Sequence, residues 1–215
     1  MKKLISFVAV FSLVFSPVTP GHAIESAFSG ADGEWTTPGS WSNGVPGAGD
    51  DAVINADVTM INGGSGTASV LSAVFNNNTA WDPFWNGLTL EVGGGTGMAT
   101  FNGSSYNYGT INGNATFNDS SYNDYGEISG NATFNDSSYN NGGVIDGDMY
   151  VKGNWWSGAA GAPTGNELVI ADGRYWSSYV TGRVYDTSEV PIEITQYTFN
   201  GSSYNYGTIN GNATF

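Results

Sequence analysis

The sequence predicts an all-β protein, a parallel β-solenoid (β-helix) of 16–17-residue coils behind a β-rich N-terminal cap region. Three observations predict it. A motif recurs at that period, each copy carries three large anchors, and the composition disfavours helices. Of 215 residues 32 are Gly, and only 11% are charged, against about a quarter in ordinary globular chains. Gly lowers helix stability, and the abundant Asn, Ser and Thr favour turns and caps. A coiled coil is excluded by the scarcity of Leu, Lys, Arg and Glu.

The chain opens with Lys2 and Lys3, an apolar run from Leu4 to Phe15, helix-breaking Pro17 and Pro20, and the small residue Ala23. This is the pattern of a Sec signal peptide over 1–23, with cleavage after Ala23 and export to the cell surface or beyond. The run is too short to span a bilayer as a helix, and no later apolar stretch is long enough for the mature chain to do so. Cleavage would remove His22, the sole histidine, and leave Lys152, Arg174 and Arg183 against 19 acids. Binding to nucleic acid through phosphate charge is therefore not expected.

Residues 24–97 are expected to form the cap region, out of register with the repeat. The stretch Trp41–Ile54 is turn-rich and then strand-like, Val58, Met60, Val70–Phe75 and Leu88–Val92 look like further strands, and Gly93–Gly97 is a punctuating loop. The repeats are expected over 98–158. TFNGSSYNYGTINGNATF (Thr100–Phe117) recurs unchanged as Thr198–Phe215. NATFNDSSYNDYGEISG starts at Asn114, NATFNDSSYNNGGVIDG at Asn131, and a degenerate copy at Gly147. Aligned copies place Phe101, Phe117, Phe134 and Val151 in one slot. Tyr106, Tyr122, Tyr139 and Trp156 fill a second, and Ile111, Ile128 and Ile145 a third. Three short strands per turn, with like residues about 4.8 Å apart along the axis, would bury these anchors. Period-2 alternation anchored on the largest side chain predicts Tyr122 inward and Ser121 outward. The extra residue of the longer copies falls between the Tyr and Ile slots, near Asp124 and Asn140 or Asn141. An array of hairpins is the alternative, because Asn-Gly turns favour them.

Over 159–196 the period is lost, and irregular β coils or an insert are expected. From 197 to 215 the repeat restarts in a truncated form. A stack ending in an open strand edge is expected either to continue with further repeats or to associate end to end.

The segment TTPGSWSNGVPGAGDDAVINADVTM (Thr36–Met60) resembles the opening of secreted bacterial repeat proteins of the autotransporter and adhesin kind. The GNATFNDSSYN-type repeats are similar to those of exported bacterial surface proteins. The resemblance implies a β-solenoid used for surface display or adhesion. Its partners would be surface glycans or other cell-surface proteins.

The chemistry is bounded by what is missing. There is no Cys and no mature His, so Ser-His-Asp and Cys-His catalysis and thiolate or imidazole zinc sites are excluded. Asp50/Asp51 and Asp146/Asp148 read as turn acids, not as a spaced glycosidase pair. No enzymatic activity is expected, and no cofactor beyond a possible calcium ion. Asp119 and Asp136 share one repeat slot, so stacked carboxylates there are the candidate calcium ligands. Trp81, Trp85 and Trp155 are the candidate glycan contacts, which support an alternative function as a secreted carbohydrate-binding or carbohydrate-active protein. N-x-S/T triplets such as Asn114-Ala-Thr116 arise from composition.

Overall fold

The computed structural model describes residues 24–28, 35, 38–55, 66–76, 80–81, 88–152, 165–170, 172 and 174–215. The expected signal peptide, Val58, Met60, Trp85, Trp155 and Trp156 lie outside them, as does the side chain of Trp81.

The protein is all-β, and its strands pair almost entirely in parallel. Between Met98 and Val151 the chain visits three sheets in a fixed order, three times over. The Phe sheet holds Met98–Phe101, Asn114–Phe117, Ala132–Phe134 and Met149–Val151. The Tyr sheet holds Tyr106–Asn107, Tyr122–Asp124 and Tyr139–Asn141. The Ile sheet holds Thr110–Asn112, Glu127–Ile128 and Val144–Ile145. Each strand pairs with its equivalent one repeat back: Phe117 opposes Phe101 and Phe134, Tyr122 opposes Tyr106 and Tyr139, and Ile128 opposes Ile111 and Ile145.

That register makes equivalent side chains touch. Phe75, Phe101, Phe117 and Phe134 form a column with ring centroids 4.5, 4.7 and 4.9 Å apart and near-parallel planes. All four are fully buried, as are Leu90, Ile111, Ile128 and Ile145. Burying a side chain of this size stabilises by roughly 1.5–3 kcal/mol, and each aromatic contact adds about 0.5–1.5 kcal/mol. The alanines between the Phe column and the turn (Ala99, Ala115, Ala132) leave room for it.

The Tyr slot is turned the other way from its expected orientation. Ser121 and Asn123 are fully buried, as are Ser105, Asn107 and Asn140, while Tyr122 is partly exposed. The tyrosines still stack, but on the outside. The physical reason is an amide ladder. Asn107 Nδ2 donates to Asn123 Oδ1, and Asn123 Nδ2 to Asn140 Oδ1, both at 2.7 Å. The same Nδ2 atoms also reach Gly109 O and Gly126 O, and Asn140 Nδ2 reaches Gly143 O. Ser121 Oγ is shared between Asn118 O at 2.7 Å and Phe101 O at 3.0 Å, and Ser138 repeats the arrangement one pass on. Buried polar groups are tolerated when they are hydrogen-bonded, and here the amides are satisfied by their copies and by the backbone of their own turns.

A second ladder runs along the turns. Asn76 donates to Asn55, Asn102 to Asn76, Asn118 to Asn102 and Asn135 to Asn118, at 2.8–2.9 Å. The extra residue of the longer repeats is Tyr125 and Gly142, both with left-handed backbone, φ 56° and 67°.

Residues 24–97 feed the same sheets. Glu25–Phe28, Asp51–Ile54 and Ser72–Phe75 extend the Phe sheet. Gly66–Val70 and Leu88–Val92 extend the Ile sheet, and Ala80–Trp81 the Tyr sheet. Only the connections vary in length, which hides the period from the sequence. On the other side, Val184–Asp186 pairs with Met149–Val151 and is then flanked by antiparallel Ile192–Glu193. Glu167–Ile170, Gln196–Phe199 and Asn212–Thr214 form a separate parallel sheet. Tyr175–Trp176 pairs with Tyr204–Asn205. There, buried Trp176 stands in register with Asn205 and packs edge-on against buried Tyr197 at 5.6 Å.

Two outcomes follow from the ladder. Ser121→Asp, which sets a carboxylate against two carbonyls, is expected to destabilise by more than about 4 kcal/mol or to prevent folding, while Tyr122→Asp is tolerated far better; urea unfolding compares them. Asn123→Ala takes the partner from one Asn107 N–H and from Asn140 Oδ1 and is expected to cost about 3 kcal/mol, against about 1 kcal/mol for Asn118→Ala on the partly buried ladder. Equal midpoints for the two would refute the distinction.

Candidate functional site

The outer surface of the Tyr sheet gathers the most distinctive side chains among the described residues. Tyr106, Tyr122 and Tyr139 point outward because their neighbours, Ser and Asn, are held in the ladder. Their rings stack at 5.4 and 5.0 Å, with planes 20° and 6° apart. A parallel column carries Tyr108, Asp124 and Asn141. Tyr108 meets Tyr106 edge-on at 4.9 Å, and its hydroxyl donates to the Asp124 carboxylate. Asn141 Nδ2 donates to Asp124 Oδ1 at 2.7 Å. Tyr125, 67% exposed, stands beside them.

The phenols are held neutral. Burial pushes the Tyr108 hydroxyl well above its ordinary value of 10.0, and the hydrogen bond to Asp124 and that residue's charge add to the effect. Tyr122 is raised by burial first and then by Asp124 and Tyr106, against a lowering hydrogen bond with Tyr108. Tyr139 is raised by burial, then by Tyr122, Asp124 and Tyr175.

This geometry does not make a sugar platform of the usual kind. Such a platform needs open ring faces, but here each inner face lies against the next tyrosine, and the stack presents edges and hydroxyls. Of the candidate glycan contacts, Trp85 and Trp155 lie outside the described residues. Trp81 occupies the register position of Asn107.

Asp119 and Asp136 do share a slot, and both are exposed. Both have left-handed backbone at φ 59°, as Gly103 and Gly201 do at 71° and 59°. Asp tolerates that conformation better than most residues, which accounts for the Gly/Asp alternation. Asp119 Oδ2 accepts from Gly103 N at 3.0 Å, so the carboxylate already serves the repeat before it. Among the described residues, no three His, Cys, Asp or Glu side chains converge to hold a metal ion. Asp50 accepts from the backbone of Gly47, Asp51 from Ser72, and Asp148 from the backbone of Arg183.

Neither a family model, nor a curated protein, nor a solved structure matches the chain.

A tyrosine column was within reach of the sequence, since a Tyr recurs at each repeat, but the side it faces was not: Tyr122, expected inward, lies outward. Tyr108 carried little signal, because its slot holds Tyr only in the exact copy, as Tyr206, and Asp124 and Asn141 in the two longer ones.

Raised phenol values give a defined pH response. The folded state keeps these tyrosines protonated above pH 10, where the unfolded chain ionises, so their contribution is complete below about pH 10 and lost as pH rises further. Alkaline unfolding followed by tyrosinate absorbance is expected to show them ionising together with the loss of structure. Tyr108→Phe is expected to shift that transition to higher pH. A transition that moves to lower pH would contradict the assignment.

Proposed function

We propose that this chain is an exported structural or adhesive surface protein, whose three parallel sheets are the sides of a β-solenoid. The observation that carries the reading is the pairing of each strand with its equivalent one repeat back, in all three sheets and in one cyclic order. A hairpin array would instead pair sequential strands antiparallel. Repetition of this type makes a long, stiff surface of identical columns, suited to display and to contacts with many weak partners. The resemblance of Thr36–Met60 to the opening of autotransporter- and adhesin-like proteins supports export, as does the signal-like segment 1–23. Surface glycans or other cell-surface proteins are the partners this role implies. The chain's own side chains offer hydroxyl and amide ladders, and none is assigned a catalytic role.

Small-angle scattering of the purified protein is expected to give a rod-like profile, and a compact sphere would overturn the solenoid. Protease treatment of intact producing cells is expected to remove the protein. Material that remains wholly protected within the cytoplasm would overturn export and display. A glycan array separates adhesion through sugars from a purely structural role, and saturable binding lost on changing Trp81, Trp85 or Trp155 would favour the carbohydrate-binding alternative.

A further inference from the structure

We propose that the tyrosine column is a site of oxidative cross-linking, in which adjacent rungs of Tyr106, Tyr122 and Tyr139 become joined ring to ring as dityrosine. The geometry is the ground for it. Parallel pairing fixes Tyr122 directly opposite Tyr106 and Tyr139. The rings lie face to face at 5.4 and 5.0 Å, with no other side chain able to stand between them. The residues are partly exposed, so a small oxidant reaches the phenols and the rings retain the freedom to rotate into bonding distance. Held partners replace a bimolecular encounter by an intramolecular one, which raises effective concentration by orders of magnitude.

The reaction balances with peroxide as oxidant, in the presence of a peroxidase-class catalyst. Each of two tyrosines loses one electron and its phenolic proton to give a phenoxyl radical. The two radicals form a carbon–carbon bond between positions ortho to the oxygens, and each ring then returns its ortho hydrogen to the phenoxyl oxygen through solvent, restoring aromaticity. The two electrons and two protons released reduce one hydrogen peroxide to two waters.

Competing sinks are few. The chain has no cysteine to quench a radical, and Trp35, Trp41 and Trp176, the tryptophans whose side chains are described, are buried. Two further pairs have the same geometry: Tyr150 with Tyr185 at 5.2 Å and Tyr175 with Tyr204 at 5.6 Å, both near parallel. Stacking, not exposure, is therefore the predicted determinant. Tyr125 and Tyr206 are the natural contrast, at 67% and 63% exposed and in no parallel stack among the described residues.

The test treats dilute purified protein with peroxidase and hydrogen peroxide, follows dityrosine fluorescence, isolates the monomer band and maps linked peptides by mass spectrometry. The expected links join Tyr106 to Tyr122 and Tyr122 to Tyr139, each with loss of one hydrogen per ring. Tyr122→Phe keeps a stackable ring but leaves Tyr106 and Tyr139 two rungs apart, and is expected to lower the column's dityrosine at least tenfold. Tyr125→Phe is expected to leave it unchanged. Circular dichroism of Tyr122→Phe, matching the parent, ensures that the loss is chemical. Links dominated by Tyr125 or Tyr206, links found only between molecules, or an undiminished yield from Tyr122→Phe would each overturn the proposal.

Discussion

The hydrogen bond from one buried asparagine to its copy in the next repeat is the interaction on which the rest of this structure depends. An amide has a donor and an acceptor on opposite sides, so a column of amides can satisfy itself without limit. Once Asn107, Asn123 and Asn140 are joined this way, the spacing between repeats and the register of every sheet are set together. A slip by one residue would place tyrosine where the amide belongs and leave several buried polar groups without partners. The Phe and Ile columns supply most of the burial, but an apolar column would accept a slipped neighbour more readily. Specificity thus resides in polar side chains, and stability mainly in apolar ones.

The same arrangement explains the glycines next to the ladder. A Cβ at Gly143 would collide with the amides of Asn123 and Asn140, and one at Gly126 with those of Asn107 and Asn123. These glycines are part of the ladder's packing, since the amide leans over the backbone of its own turn to reach a carbonyl there.

Much of the fold was legible in the sequence because it was written in apolar residues. The Phe slot and the Ile slot are buried where the period places them, and the insertion point near Asp124 falls at the left-handed Tyr125. The orientation of the Tyr slot was not legible. Hydropathy ranks Tyr above Ser and Asn for burial, and a single Ser-Tyr-Asn triplet contains nothing to reverse that order. Only when identical amides stand one above another does the polar face become the inner one, so the cue lies in the repetition of Asn at one slot, not in its character. The strands before Met98 were obscured for a different reason. Their inward residues match the later ones, Ala52, Ala73 and Ala99 in one column and Ile54, Phe75 and Phe101 in the next, but loops of unequal length break the count. As for the outer surface, its tyrosines were visible as residues, whereas the shared hydrogen bonds of Asp124 depend on three different residues, Tyr108, Asp124 and Asn141, standing in one slot of successive repeats.

The turn ladder also bears on how such a molecule ages. Asn-Gly sequences deamidate when the glycine nitrogen attacks the preceding side-chain amide to form a succinimide, and Asn102-Gly103 is such a pair. Here the amide of Asn102 is tied on both sides, donating to Asn76 and accepting from Asn118. The attacking nitrogen, Gly103 N, is itself donated to the Asp119 carboxylate of the following repeat. Both reactants of the spontaneous reaction are occupied by neighbours, and at the next two rungs the glycine is replaced by Asp119 and Asp136, whose side chains crowd the attack. Folding into the stack therefore makes this perishable pair durable, because the following repeat shields the labile bond of Asn102.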